Sequence, residues 1–315
     1  MTAPAISVVL PVRDGAAFVA EAIRSILGQT WRDLELLVVD DGSRDATASI
    51  LAQFAAEDPR VRVLVQPPLG LVPALNRGLK EAAGRYVARM DADDVAAPER
   101  LALQAAVLDG DPAVAAVGSA CRVIARDGTV VRVRRPPTGA TEVRAALRRG
   151  NPMIHPAVTL RRDAALAAGG YRPAFLLCED YDLWLRLAER HDLVNLDRPL
   201  LDYREHGGQS TWRDLEQRIL SELAALAAAD RRRAGLPDKV GEVLVTRATL
   251  RGLGVGEAAV SDGIIGRALG TAIEARVAGH RTATRAALAL LLRQPTLKLR
   301  TRLHGWALRL STLLP

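Results

Sequence analysis

Residues 34–43, LELLVVDDGS, and residues 84–94, GRYVARMDADD, decide the fold of this chain. Each contains a short apolar run that ends in a group of aspartates. Continuous apolar runs of this length are typical of strands buried on both faces of a parallel sheet. Ligands bind at the carboxyl ends of the strands in such sheets, so we expect both aspartate groups at one functional edge.

Strands and helices alternate around these two runs. Apolar strand patterns are present at residues 6–11 and 61–65, and apolar residues recur at helical spacing in residues 17–27, 45–54 and 71–83. This alternation predicts βαβ units, a mostly parallel mixed sheet and helices on its faces. The sequence therefore belongs to the α/β class.

The pattern becomes less regular after residue 94. We predict a helix at residues 98–108, a strand at 113–124, a hairpin turn at Asp127-Gly128, a loop at 132–139, a helix at 180–189 and a strand at 193–196. From Trp212 the pattern is helical and rich in Ala, Leu and Arg. We therefore divide the chain into residues 1–212, with halves 1–94 and 95–212, and a basic helical extension, 213–315.

The composition is that of an ordinary globular protein. The chain has 315 residues, of which 49% are hydrophobic and 25% charged, which excludes a disordered or low-complexity chain. Two cysteines are too few for a disulfide scaffold and favour a cytoplasmic location. Prolines interrupt the longest charge-free stretch, so the sequence predicts no transmembrane helix.

The positive charge is concentrated in the C-terminal segment. Residues 231–315 carry 15 Lys or Arg and five Asp or Glu, whereas residues 1–230 carry 28 and 31. A helix from Pro295 would place apolar residues on one face between basic flanks, namely Leu299, Leu303, Trp306, Leu310 and Leu313. This pattern predicts peripheral binding to an anionic membrane surface, with packing on protein as the alternative. Trp306 is the only aromatic residue of the segment, so we expect no nucleic-acid partner.

Three aspartate groups are candidates for chemistry. Asp91, Asp93 and Asp94 repel one another unless a cation compensates them, and they suit Mg²⁺ or Mn²⁺ shared with a substrate phosphate; the alternative is a solvated turn. The pair Asp40-Asp41 can bind a nucleobase or ribose, or can cap a helix. Asp180 opens a predicted helix, where it can accept a proton or simply act as a cap.

The ordered motifs together resemble the family 2 glycosyltransferases. The donor half of that family is matched by residues 6–11, 25–31, 35–43, 74–79 and 84–94. Its acceptor half is matched by residues 151–156, 169–171, 179–180 and 203–206. The resemblance covers roughly residues 5–212. It implies a GT-A fold and an inverting transfer of a sugar from a nucleotide-sugar to an acceptor hydroxyl.

The resemblance also implies roles for single residues. Asp180 corresponds to the catalytic base, and Asp93, with Asp91, corresponds to the metal-binding pair. The expected nucleotide-sugar contacts are Pro11, Asp14, Asp40, Asp41, Asn76, Asp91, Asp94 and His206. The acceptor side is expected to contain His155 and Glu179.

The function expected from these residues is a metal-dependent glycosyltransferase of bacterial envelope or extracellular polysaccharide synthesis. Its donor would be a UDP-, GDP- or dTDP-sugar, and its acceptor a lipid-linked molecule or a glycan. Gln209-Ser-Thr-Trp212 does not match the Gln-x-x-Arg-Trp motif of processive members, so we expect a non-processive enzyme. A sugar nucleotidyltransferase and a non-catalytic nucleotide-sugar-binding protein are the alternatives. The expected site of action is the cytoplasm, with peripheral attachment to the inner face of the plasma membrane.

Overall fold

The computed structural model describes residues 4–205, 214–241, 243–277 and 281–293. The chain divides into two compact units, one formed by residues 1–174 and 178–208 and the other by residues 175–177 and 209–315. The first unit is a sheet flanked by helices, and the described part of the second is helical.

A single mixed sheet runs through the first unit. Its described strands are β1 (Ile6–Val12), β2 (Leu34–Asp40), β3 (Val61–Val65), β4 (Tyr86–Arg89), β5 (Val95–Ala96), β6 (Val114–Ile124), β7 (Val130–Arg134), β8 (Thr159–Arg161) and β9 (Asp192–Arg204). The strand order is β3-β2-β1-β4-β8-β6-β9-β5, and β7 pairs with β6. Strands β1 to β4 are parallel, and antiparallel pairs begin at β8. The expected α/β fold with a mixed sheet is confirmed.

Seven helices flank this sheet in the described part of the first unit. They are α1 (Val19–Leu27), α2 (Thr47–Glu57), α3 (Leu71–Glu81), α4 (Arg100–Gly110), α5 (Ala140–Leu147), α6 (Arg162–Ala167) and α7 (Glu179–Leu187). A 3₁₀ turn at His155–Ala157 precedes β8. Every residue of β1 and β2 is buried, which explains their uninterrupted apolar sequences.

The strand register brings the two aspartate groups to the same edge of the sheet. Val12, at the end of β1, lies opposite Asp40 at the end of β2. On the other side of β1, the Met90 N–H donates to the Val9 carbonyl at 3.1 Å, which fixes the chain just before Asp91. Because β1, β2 and β4 are parallel, their carboxyl ends meet here.

Two boundaries differ from those predicted by the sequence. Strand β7 extends to Arg134, so the predicted loop at 132–139 is wrong in its first residues; the segment pairs along β6 as an edge strand. Strand β9 covers 13 residues instead of the predicted four, because the long β6 supports it with register shifts opposite Ser119 and Ala120. Both differences depend on a long-range partner.

The second unit confirms the helical C-terminal region. It contains α8 (Leu215–Arg233), α9 (Arg247–Gly252), α10 (Glu257–Val277) and α11 (Arg281–Leu292). The buried faces are rich in alanine, which lets helices approach closely. Among the described residues, none of the helices has the length and apolar character needed to cross a bilayer. The predicted boundary near residue 212 and the predicted basic helix at residues 295–315 lie outside the described residues.

Candidate active site

Three carboxylates form a cluster directly after β4. One oxygen each from Asp91, Asp93 and Asp94 lies within 4.8 Å of the others. Asp91 and Asp93 are half-buried and Asp94 is buried. The structure thus brings together the residues that the sequence proposed as metal ligands.

Asp94 is the most constrained member of this cluster. Its Oδ1 accepts a hydrogen bond from the Arg204 backbone N–H at 2.9 Å, and its buried Oδ2 has no hydrogen-bond partner among the described residues. Burial, with the charges of Asp91 and Asp93, raises the pKa of Asp94 well above its usual range. Three carboxylates gathered this closely supply the oxygen ligands that a divalent cation such as Mg²⁺ or Mn²⁺ prefers.

Arg204, at the end of β9, holds the backbone of the cluster in place. Its Nε donates to the Asp93 carbonyl at 2.7 Å, and its Nη2 donates to Glu21 Oε2 at 2.7 Å. The guanidinium also stacks over the ring of Phe18, 4.8 Å from its centroid. Arg204 belongs to the family motif at residues 203–206, but the sequence alone predicts no role for it. His206 of the same motif lies outside the described residues.

Arg89 is a second residue of the site whose role the sequence does not predict. It is the last residue of β4, it is buried, and its Nη1 lies 2.5 Å from Asp91 Oδ2. In the sequence, an arginine two positions before an aspartate is as compatible with an exposed arginine side chain as with this ion pair. Only the tertiary structure, in which β4 lies between β1 and β8 and all its residues are buried, shows that Arg89 is shielded from solvent.

The aspartate pair after β2 is engaged within the protein. Asp41 is buried and accepts hydrogen bonds from Gln66 Nε2 at 2.8 Å and from the backbone N–H groups of Leu69 at 2.8 Å and Gly70 at 2.9 Å. Asp40 Oδ1 accepts from the Ser43 N–H at 3.0 Å. These carboxylates shape the loops that follow β2 and β3, and their contact with a nucleotide stays a prediction.

The loop after β1 is tied to the loop after β2. Pro11 is buried within β1, whereas Asp14 is exposed and adopts a φ of 51°. The Asp14 N–H donates to Ser43 Oγ at 3.0 Å, and Asp14 Oδ1 accepts from the Arg44 N–H at 2.7 Å. Pro11 and Asp14 therefore lie at the sheet edge where a donor nucleotide is expected.

Asn76, predicted to contact the donor, forms hydrogen bonds to the backbone of the acceptor half. Its Nδ2 donates to the Tyr171 carbonyl at 2.7 Å, and its Oδ1 accepts from the Tyr171 N–H at 2.9 Å. Gly170 has a φ of 65°, and a Cβ there would lie 2.7 Å from Asn76 Oδ1. Glycine is therefore required for this close approach, which explains part of the Gly-Gly-Tyr motif.

Asp180 lies in the first turn of α7 and is half-buried. Its Oδ2 accepts from Asn151 Nδ2 at 2.7 Å, and its Oδ1 accepts from the Tyr181 N–H at 2.7 Å. Burial raises the pKa of Asp180, although these two hydrogen bonds and the charge of Arg89 oppose the shift. The carboxylate is thus a stronger proton acceptor than an ordinary surface aspartate.

A second carboxyl group lies beside Asp180. Glu179 is 6% exposed, and burial together with the Asp180 charge raises its pKa to about 7. The two carboxyl groups titrate as an interacting pair, so the charge of one affects the proton affinity of the other.

The raised pKa of Glu179 predicts a pH-dependent stability difference. Because the folded protein binds this proton more tightly than the unfolded chain, the stabilisation is present below about pH 4.5 and is lost as pH rises through 7. We expect Glu179→Gln to raise the free energy of unfolding by about 1–3 kcal/mol at pH 8 and to have little effect at pH 5. Denaturant titrations at both pH values measure this. Glu57→Gln, on an exposed position, is the control, and equal effects of Glu179→Gln at both pH values would contradict the prediction.

His155 forms part of the support beneath α7. Its Nε2 lies 3.0 Å from the Tyr171 hydroxyl, and its ring meets Trp184 edge-on with centroids 5.9 Å apart. Burial lowers the pKa of His155 well below its usual range, with a smaller contribution from Arg89. The histidine is therefore neutral at physiological pH, and its predicted place on the acceptor side stays a prediction.

Comparisons with known proteins give the family. The model of Glycosyl transferase family 2 matches residues 7–170, which is more than half of the chain. The chain belongs to this family. It is a glycosyltransferase with a GT-A fold, and the resemblance noted in the sequence is confirmed.

A relative agrees with this membership, and two solved structures agree with the fold. The amylovoran biosynthesis glycosyltransferase AmsE of Erwinia amylovora is 33% identical over 186 residues, which cover 58% of this chain and 69% of AmsE. The structure of S. aureus TarS 1–349 with UDP-GlcNAc has a TM-score of 0.56 at 17% identity, covering 93% of each chain. The mannosyltransferase PcManGT of Pyrobaculum calidifontis, with GDP-Man and Mn²⁺, has a TM-score of 0.54 at 21% identity, covering 97% of this chain and 84% of that one.

Proposed function

We propose that this glycosyltransferase moves a sugar, with inversion, from a nucleotide-sugar to a hydroxyl of a lipid-linked or glycan acceptor. The observation that carries the proposal is the three-carboxylate cluster after β4, together with a separate half-buried carboxylate, Asp180, on α7. The first arrangement suits a metal-bound diphosphate and the second suits a general base. The named function of AmsE supports a role in bacterial polysaccharide synthesis.

The proposed reaction has a simple balance of bonds and charges. The acceptor oxygen forms a bond to the anomeric carbon, while the bond from that carbon to the diphosphate oxygen breaks and the diphosphate leaves with the electron pair. The acceptor proton moves to Asp180, whose orientation is held by Asn151 and by the Tyr181 N–H. A base placed within hydrogen-bond reach contributes about 10²–10⁴ in rate.

Negative charge accumulates on the departing diphosphate. Asp93 and Asp91, together with the buried Asp94, would hold a Mg²⁺ or Mn²⁺ ion, and such an ion would offset the charge of the diphosphate. Arg204 keeps the cluster in place through the Asp93 carbonyl. The Mn²⁺ and GDP-Man named for PcManGT and the UDP-GlcNAc named for TarS support a metal and a nucleotide-sugar as ligands.

The cellular location belongs to the same proposal. We infer a cytoplasmic enzyme attached to the inner face of the plasma membrane, supported by the concentration of basic residues in the last part of the sequence. Residues 281–315 contain seven Arg or Lys and no Asp or Glu. The attachment stays a prediction from sequence.

A donor screen tests the proposed function. Purified protein with Mn²⁺ is incubated with UDP-, GDP- and dTDP-sugars, and release of the nucleoside diphosphate is measured with and without a chelator. We expect release from one donor class, lost on chelation. Release of pyrophosphate from a nucleoside triphosphate and a sugar phosphate would instead indicate a nucleotidyltransferase, and no turnover of any donor would contradict the proposal.

A further inference from the structure

A fully buried carboxylate, Asp182, lies in the first turn of α7 and is held by two arginines. Its Oδ2 accepts from Arg172 Nε at 2.9 Å and from Arg186 Nε and Nη2 at 3.0 and 2.8 Å. Its Oδ1 accepts from Arg172 Nη2. Because hydrogen bonds between planar guanidinium groups and a carboxylate require a defined geometry, these contacts give Asp182 one strongly preferred orientation.

Arg186 also binds the loop that follows α6, residues 168–172. Its Nη1 donates to the Ala168 carbonyl, and its Nη2 donates to the Gly170 carbonyl at 2.7 Å. The next residue of this loop, Tyr171, is the one whose backbone forms the paired hydrogen bonds with Asn76. The ion pair on α7 is therefore connected, through one short loop, to α3 in the donor half.

Asp182 and Asp180 lie on opposite faces of α7. A separation of two positions corresponds to a rotation of about 200° around an α-helix. Asp182 is fully buried, whereas Asp180 is half-buried and accepts from Asn151 Nδ2. The contacts of Asp182 on the buried face therefore determine the direction of the Asp180 carboxylate on the other face.

A buried ion pair is a poor means of stabilising a fold, because the removal of two charges from water offsets most of their attraction. Another arginine–aspartate pair, Arg144 with Asp192, lies at the opposite end of α7, and its side chains are 52% and 39% exposed. Arg144 also donates to a helix-end carbonyl, that of Ala188, so exposed residues are sufficient to attach this helix at that end. Orientation is therefore the property that the buried pair at the first turn can supply.

We propose that Asp182 and Arg186 are positioning residues for sugar transfer, which fix the first turn of α7 against the loop 168–172 and so direct the Asp180 carboxylate at the acceptor hydroxyl. This inference rests on the proposed role of Asp180 as the base. The effect of both residues on turnover passes through Asp180 and needs no contact with the substrate.

The first test needs no substrate. We compare amide hydrogen exchange of the wild type and Asp182→Asn by mass spectrometry of peptides. Asparagine keeps the size of the side chain but removes its charge and one of its acceptor oxygens. Exchange in residues 168–172 and in the first turn of α7 should become about tenfold faster or more, while exchange in β1 and β2 stays unchanged.

Asp192→Asn is the matched control, because it removes the same kind of ion pair at the other end of α7. It should leave the exchange of residues 168–172 unchanged. Unaltered exchange of these residues in Asp182→Asn, or the same acceleration in Asp192→Asn, overturns the proposal.

The second test uses the donor class found by the screen. Asp182→Asn should lower kcat about 10- to 10²-fold, because misplacement of a catalytic group by about 1 Å has an effect of this size. The KM for the donor should change less than kcat. In an Asp180→Asn background the same substitution should change kcat by less than about threefold, since no base is left to be misplaced. An equal loss of kcat in both backgrounds would mean a general structural role and overturns the proposal.

Arg186→Lys is the second variant and decides the matter if Asp182→Asn does not fold. Lysine keeps a positive charge beside Asp182 but has no planar fork that can donate to the carboxylate and to both loop carbonyls at once. We expect the same dependence on Asp180 with a smaller loss of kcat, and a kcat equal to that of the wild type overturns the proposal. Failure of the wild type on every donor would count against the proposed function, and hydrogen exchange would still decide whether Asp182 fixes the first turn of α7.

Discussion

Asp180→Asn is expected to lower kcat by about 10²–10⁴ while leaving the fold and donor binding intact. Asparagine has nearly the same volume as aspartate and can still accept the hydrogen bond that the Tyr181 N–H donates to position 180. What it cannot do is take the proton of the acceptor hydroxyl. The bond to the anomeric carbon would then form without general-base assistance.

Steady-state kinetics with the donor and a hydroxyl acceptor measure this effect, and calorimetry with the nucleoside diphosphate and Mn²⁺ measures donor binding. Asp163→Asn makes the same chemical change in the first turn of α6, at an exposed position, and is the matched control. A kcat for Asp180→Asn within tenfold of the wild type would remove Asp180 from the role of base.

Asp93→Ala is expected to remove metal-dependent binding of the donor. Its carboxylate is one of the three oxygen donors within 4.8 Å, whereas its backbone carbonyl, which accepts from Arg204, survives the substitution. Loss of a metal ligand should weaken binding of UDP or GDP in the presence of Mn²⁺ by at least about 10–100-fold. Binding without the metal should be unchanged.

Asp93→Ala is also expected to affect the stability of the metal-free protein. Burial is the largest cause of the raised pKa of Asp94, and the charges of Asp91 and Asp93 add to it. Removing the Asp93 carboxylate relieves one of these two repulsions, so the metal-free variant should be at least as stable as the wild type. Calorimetry and thermal unfolding check both effects, with Asp197→Asn as an exposed control. Undiminished Mn²⁺-dependent binding in Asp93→Ala would show that the ion is held elsewhere.

The candidate site was predictable where its residues follow local patterns. Aspartates after buried strands, such as Asp91 and Asp93, are visible in the sequence because a parallel sheet gathers its strand ends at one edge. Asp180 was visible because acidic residues favour the first turn of a helix. In each case the sequence pattern lies within a few residues of the side chain whose chemistry it predicts.

Other residues could not be interpreted without the structure. Asn76 and Tyr171 are 95 positions apart, and their paired hydrogen bonds exist only because α3 and the loop before α7 meet. Arg204 reaches Glu21 across 183 positions. The hydrogen bonds that Asp41 accepts from the loop after β3 depend on residues 25 or more positions away, and its contact with a nucleobase stays a prediction.

Local apolar periodicity was enough to predict the alternation of strands and helices up to Met90 and the place of the acidic groups, because burial on both faces selects continuous apolar strands. The length of β9 and the burial of Arg89 were decided by tertiary pairing. A strand continues as long as a neighbour accepts its hydrogen bonds, and an arginine is buried only when other elements cover it. Neither condition can be derived from the residues next to the strand or next to the arginine in the sequence.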